Sequence, residues 1–234
     1  MEIQEILKMN KLYNTHWWFK GKYKIVHKLI EKNLKIKYTP RVLDIGCGPA
    51  YFAKFYQYTG IDPYSENHNM NIIKVPIEEV ELKEQYDVVL VLDVLEHLQD
   101  DNVIKKFIDN NLKDDGIAII TVPANPKLFN EHDIKCGHYR RYTKNDLIKL
   151  LSGYEYKIYY YNSILYPMEY IYRKITKGKD NLRQIPNLVN TMLYLIISIE
   201  YFLLPYLPKG LSMLAIVKKK GGVGVERGIS SSSI

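Results

Sequence analysis

The sequence predicts one doubly wound α/β domain, a mostly parallel sheet with helices on both faces, and three observations carry that prediction. Short apolar runs follow one another through the first half of the chain: "RVLDIG", "YTGID", "NIIKV", "YDVVLVLD" and "GIAIITVP". Stretches with helical spacing lie between them, as in "DNVIKKFIDNNL", where Val103, Ile104, Phe107, Ile108 and Leu112 share one face. Strands that are apolar throughout and alternate with helices belong to parallel sheets buried on both sides. The 234 residues, 47% hydrophobic and 25% charged, suffice for one domain with a large core, with or without an insertion.

Residues 2–34 read as two helical stretches around "NTHWWFKGK", the second placing Tyr23, Val26, Leu29, Ile30 and Leu34 at helical spacing. The opening segment carries acids early and lacks the basic and apolar regions of a signal peptide. Two cysteines, Cys47 and Cys136, are too few for a disulfide scaffold or a Cys-based zinc site, which points to a reducing, cytoplasmic setting. After the fifth apolar run, Thr143 can cap a helix starting at Lys144, with Asp146 as the acidic partner of a capping box. A strand "YEYKIYYYN", a long aromatic and aliphatic region and a last strand "SMLAIVKK" follow. The most apolar stretch is "NLVNTMLYLIISIEYFLLPYLP". Its core from Met192 to Leu204 contains Glu200, stops at Pro205 and is shorter than the roughly 20 residues of a membrane span, so a buried or interfacial helix is expected. A net charge of +7, with a cluster at Lys218 to Lys220, permits an anionic partner and peripheral membrane contact without naming either. The expected layout is a helical cap over 1–38, a ligand-binding core and lid over 39–161, a helical insertion and last strand over 162–220, and a flexible Gly/Ser tail over 221–234.

The chemistry starts at "VLDIGCGPAYF". A dinucleotide fingerprint needs a third glycine for close helix packing, but counting from Gly46 gives Gly48 and then Tyr51. Asp44, two residues before the first glycine, repels a pyrophosphate and suits a cofactor with a cationic amino acid end. Asp44-Ile45-Gly46-Cys47-Gly48-Pro49 resembles the glycine-rich first motif of class I S-adenosylmethionine-dependent methyltransferases. The resemblance implies a Rossmann-like, mostly parallel seven-stranded sheet with N-terminal helices and a helical substrate-side insertion before the last strand. It also implies that Gly46, Cys47 and Gly48 bring backbone close to S-adenosylmethionine while Asp44 reaches its amino acid end. Asp62, followed by Pro63, stands where an acid receives the ribose hydroxyls, and Leu92 and Asp93 end the fourth strand facing the cofactor. Two positions depart from the pattern. Ala50 replaces a glycine, and Pro76 stands where an acid usually meets the adenine, leaving the Ile77 backbone or Glu78 as substitutes.

Asp93, Glu96 and His97 have metal-compatible chemistry, an arrangement similar to magnesium-assisted ubiquinone-pathway O-methyltransferases, but relatives with Leu-Glu-His lacking a metal are common and none is assigned. His97 alone can act as a base or fix its turn. "HWWF" and the stretch "NEHDIKCGHYRRYTKNDL" resemble the opening motif and lid of a methyltransferase subgroup associated with polysaccharide and polyprenyl-linked sugar pathways. In that reading His132 and His138 are candidate bases for a hydroxyl acceptor. Arg140 and Arg141 are candidate clamps for an acceptor carboxylate or phosphate, and Trp18 and Tyr142 further acceptor contacts. A structural role for His138 and the arginines, holding the lid to the sheet, stands beside it. The expected activity is methyl transfer to a hydroxyl, ahead of nitrogen or carbon, of a small, sugar or lipid-linked acceptor. The rivals are a non-catalytic S-adenosylmethionine-binding regulatory module and an NAD-dependent oxidoreductase. No base-flipping motif or separate basic reading module is present, which argues against nucleic acid.

Overall fold

The computed structural model describes residues 10–67, 71–176 and 184–220; the readings made for residues 2–9 and for the tail 221–234 lie outside the described residues. Seven strands form one sheet: β1 (Arg41–Ile45), β2 (Gln57–Ile61), β3 (Ile72–Ile73), β4 (Tyr86–Leu92), β5 (Leu112–Pro123), β6 (Glu155–Tyr161) and β7 (Ser212–Lys218). Their order is β3-β2-β1-β4-β5-β7-β6, parallel except that β7 runs antiparallel to both β5 and β6. The fold is the Rossmann-like doubly wound arrangement that the apolar runs imply. The strand order reverses between β1 and β4, and ligands of such sheets bind in the crevice beyond the strand ends at that point.

Side chains alternate across the sheet, so each strand feeds two cores. Val42, Val88, Leu90, Ile117, Ile119 and Leu214 face α1 (Trp17–Asn33) through its Phe19, Val26 and Ile30. Leu43, Val89, Val91, Ala118, Ile120 and Ala215 face the other way, toward Ile104, Phe107 and Ile108 of α2 (Val103–Asn111). A short α3 (Glu131–Lys135) and α4 (Lys144–Leu150) follow β5. Thr143 caps α4 in a reciprocal box with Asp146, as its spacing predicts.

Two features depart from the sequence reading. Among the described residues, the connections from β1 to β4 carry only single 3-10 turns, Tyr51–Lys54 and Ile77–Glu79, in place of full α-helices. Aromatic packing takes their place beside α1: Tyr23 stacks on Tyr51 with ring centroids 4.2 Å apart, and Phe52, Phe55 and Tyr56 extend the cluster. Second, the break between the two helical stretches is shorter than "NTHWWFKGK": turns occupy Tyr13–Thr15 and helix resumes at Trp17. Helix α1 begins there, because His16 accepts the Trp18 N–H and Asn190 accepts the Trp17 N–H at 2.8 Å, satisfying its first donors.

Between β6 and β7 the chain forms α5 (Tyr166–Thr176) and α6 (Asn187–Leu203), and a final turn carries the latter to Tyr206. That stretch of 20 residues is longer than the sequence reading allows, since the helical path continues through Pro205. Helix α6 packs across α1, where Gly21 meets Ile197 so closely that a Cβ at residue 21 would overlap it.

Candidate active site

The crevice between β1 and β4 opens into a cavity of about 770 Å³, within the size range of small-molecule sites. Its floor is the turn after β1. Gly46 and Gly48 adopt left-handed φ of +66° and +48°, and at Gly46 a Cβ would also overlap Val94. The Gly46 and Cys47 N–H groups both donate to Ile61 O, tying the turn to the end of β2. Ala50 also sits at φ 57°, the left-handed region usually left to glycine, so its departure from the expected glycine strains backbone rather than narrowing the cavity.

Six carboxylate-bearing residues line this space: Asp44, Asp62, Glu78, Asp93, Glu96 and Glu169. Asp44 is buried and accepts the Tyr58 hydroxyl at 2.8 Å. Burial pushes its pKa up to about 7, against the Tyr58 hydrogen bond and the charge of Lys22. Asp62 accepts N–H groups from Gly48 and Tyr64, each at 2.7 Å. Asp93, at φ 57°, is held on both oxygens, by Thr121 at 2.8 Å and by Lys22 Nζ at 2.7 Å. Burial would raise the Asp93 carboxyl, and the Lys22 charge and hydrogen bond together with the Thr121 hydrogen bond oppose it, leaving the pKa below its ordinary value. Burial, with Asp93 adding to it, pushes Glu96 well above the usual carboxylate range. Its Oε2 is buried with no hydrogen-bond partner among the described residues.

The opposite wall comes from the lid. His138 and Asp133 meet at 2.9 Å, Nδ1 to Oδ1, and Arg141 grips the same carboxylate with Nε at 3.0 Å and Nη2 at 2.8 Å. Burial works to raise Asp133, and the His138 hydrogen bond and Arg141 charge overcome it, holding the pKa at about 2. His97 lies edge-to-face against His138, ring centroids 4.7 Å apart, with Nδ1 3.3 Å from Gly137 O. Burial and the neighbouring His138 bring His97 down to about 4. His132 also lines the cavity, 3.6 Å from Cys136 Sγ.

All nine residues expected at the cofactor therefore line one cavity: Asp44, Gly46, Cys47, Gly48, Asp62, Pro63, Ile77, Leu92 and Asp93. His97, His132, His138, Trp18 and Arg141 join them. Arg140 and Tyr142 do not. Arg140 donates to Leu98 O and Gln99 O, and Tyr142 is buried with its hydroxyl on Leu95 O and Asp101. Tyr142 bridges to Ala124, and neighbours in extended chain point to opposite sides, which sends Arg141 toward the cavity and the residues flanking it away from the cavity. Arg141 itself is committed to Asp133, so it holds the lid together instead of standing free for an acceptor. The sequence reading passed over Lys22. The signal was its place one helical turn after Trp18, both facing the cavity. Among the described residues, the three donor groups that come within 4.8 Å of one another are Glu96, His97 and His138, a different set from the Asp93, Glu96 and His97 grouped by sequence.

The profile of the family described as "Methyltransferase domain" matches residues 17–161, more than half of the chain. The chain belongs to this family. Among curated proteins it is similar to the ubiquinone biosynthesis O-methyltransferase of Rickettsia typhi, 29% identical over 150 residues that cover 50% of this chain and 59% of that protein. The match thus spans about three-fifths of that relative's length. Among solved structures, a SAM dependent methyltransferase from Archaeoglobus fulgidus shares the fold with a TM-score of 0.54 at 19% identity, covering 86% of this chain and 94% of that one. The plantazolicin methyltransferase BamL, solved with a triazolic analog and SAH, shares it with a TM-score of 0.57 at 15% identity, covering 92% and 90%.

S-adenosylmethionine is the cofactor that goes with this family and fold, and the cavity fits it. Carboxylate-bearing residues around the glycine turn disfavour the pyrophosphate of NAD, whereas an ammonium beside Asp44 relieves the cost of burying that carboxylate. Asp62, next to the turn, has the chemistry to accept ribose hydroxyls, and Pro76, Ile77 and Glu78 border the region left for the adenine.

Proposed function

We propose that this methyltransferase acts on a hydroxyl oxygen of a small-molecule acceptor, with His138 taking the hydroxyl proton. The observation that carries the reading is His138 on the cavity wall, paired with buried Asp133 behind it. Asp133, ionised and clamped by Arg141, accepts a hydrogen bond from His138 Nδ1–H and so leaves Nε2 as the nitrogen open to an acceptor. The same carboxylate stabilises the imidazolium that forms when Nε2 takes a proton. Neutral His97 beside it does not oppose that charge. When bound, S-adenosylmethionine supplies an electrophilic methyl: the acceptor oxygen forms the new C–O bond as the sulfur–methyl bond breaks. The chain's own part is alignment, exclusion of water and movement of the proton.

The unpartnered Glu96 Oε2 favours an acceptor with a polar group, and Trp17, Trp18 and Phe19 on the same cavity favour one with an apolar body. A hydroxyl on an amphipathic, sugar-bearing or lipid-linked molecule meets both requirements, and the name of the Rickettsia relative supports oxygen as the target. The test is transfer of labelled methyl from the cofactor into cell extract, followed by mass analysis of the product. His138→Gln should lower turnover by about 10²–10⁴-fold while leaving S-adenosylhomocysteine affinity unchanged by calorimetry. Turnover within a few-fold of wild type would remove His138 from the reaction.

A further inference from the structure

We infer that the exposed face of α6 docks on an anionic lipid bilayer, lying within its interfacial layer. Leu188, Met192, Leu195, Ile199, Phe202 and Tyr206 recur at alternating steps of four and three, which lines them along one side of the helix and its final turn. All six are exposed, from 54% at Leu195 to 81% at Tyr206. On α5, Met168, Ile171 and Ile175 form a second exposed apolar row. Contiguous apolar surface of this kind marks an interaction site.

Two observations choose the occupant. Along the flank of α6, α1 carries Lys20, Lys24 and Lys28, one per turn. Their ammonium groups lie 4.7 Å and 5.0 Å from the Tyr194 ring and 4.7 Å from the Tyr201 ring. Lys28 Nζ also lies 4.8 Å from the ring of Phe202 on the exposed row, so cations border the apolar face, and exposed Lys209 continues the border past the helix end. Anionic headgroups complement this border, while a second copy of a chain of net charge +7 brings repulsion.

The opposite side of α6 explains why the helix lies on the bilayer instead of crossing it. Glu200 is buried and accepts the Ser163 and Ile164 N–H groups at 2.7 and 2.6 Å, Asn190 holds the start of α1, and Ile197 packs against Gly21. Extracting the helix would strip all three and place Glu200 in hydrocarbon.

The test is co-sedimentation of the full chain with phosphatidylcholine vesicles, with and without phosphatidylglycerol, at low and high salt. Neither cofactor nor acceptor is present, so the outcome is independent of the methyl-transfer reading. Wild type should bind the anionic vesicles, bind neutral ones weakly, and dissociate as salt rises. Leu195→Glu/Phe202→Glu, on exposed positions and checked for folding by circular dichroism, should lose binding by about tenfold or more. Changing Lys20, Lys24 and Lys28 to Gln should cost about fivefold each on anionic vesicles only. No binding by wild type, or unchanged binding by the double variant, overturns the proposal. So does a concentration-dependent dimer that Leu195→Glu breaks while vesicles stay bare, which assigns the face to a second copy.

Discussion

Asp44→Asn isolates the electrostatic device at the centre of the cavity. The folded-state pKa of Asp44 is about 7 against an ordinary 3.8, so between those values the folded chain holds a proton that the unfolded chain has lost. The stabilising contribution is complete below pH 3.8 and is lost as pH rises through 7. Three units at about 1.4 kcal/mol each make it about 4 kcal/mol, an order-of-magnitude figure. Buried Glu96 and Glu200 have raised pKa values that slope the same way, and Asp93 and Asp133 are lowered and slope the other way, so the informative quantity is wild type minus Asp44→Asn. Thermal denaturation across this range should show the substitution flattening the decline by about one proton. Cofactor binding reads the same group from the other side. An ammonium beside the carboxylate lowers its pKa, so binding below pH 7 should release a proton and weaken about tenfold per pH unit of acidification. Calorimetry in buffers of different ionisation enthalpy measures that proton directly. Equal proton release by wild type and Asp44→Asn would refute the assignment of the ammonium to Asp44.

Three substitutions address the supports of the site. Ala50→Gly relieves a left-handed backbone at φ 57°; after allowing for the extra freedom of glycine in the unfolded chain, it should stabilise by about 0.5–1 kcal/mol in denaturant titrations. Gly21→Ala forces α1 away from Ile197 and should destabilise by about 1–3 kcal/mol in the same measurement. Lys22→Met leaves Asp93 without its cation and should cost about 2–3 kcal/mol, less than a wholly buried pair because the Asp93 side chain remains 26% exposed. That loss should shrink at acid pH as Asp93 protonates, and a pH-independent loss would point to packing alone.

The sheet and the cofactor side were legible because both rest on short-range rules. An unbroken apolar run such as "YDVVLVLD" can be buried on both faces only in a sheet interior, and the missing third glycine at Tyr51 is a local steric fact about one turn. The turns between β1 and β4 were less legible: nothing local to Tyr51–Lys54 shows that Tyr23, far off in sequence, supplies the packing surface a helix would have provided. The lid fails for a different reason. Arg140, Arg141 and Tyr142 are chemically plausible acceptor contacts as a set, but extended backbone divides neighbours between two sides, and only the location of Asp133 determines that Arg141 turns inward. Lys22 was hidden by its company, a charged residue in a segment read for its tryptophans.

Helix α6 shows where composition misleads about environment. Its sequence is the most apolar in the chain, yet its most apolar row faces outward, and the contacts that hold it are polar or close-packed: Glu200 on two backbone N–H groups, Asn190 on the start of α1, Ile197 against a glycine. A helix that sought only a protein core would turn Leu195 and Phe202 inward and leave Glu200 in water. The reversed arrangement makes sense if the outward row has a partner of its own, and it fixes that partner's position relative to the reaction. Ile197 packs with Trp17, and Trp17 and Trp18 line the cavity, so a single layer of side chains separates helix α6 from the cavity. Under the docking and acceptor readings proposed above, that layer would set the cavity wall beside the bilayer, within reach of an acceptor with an apolar tail.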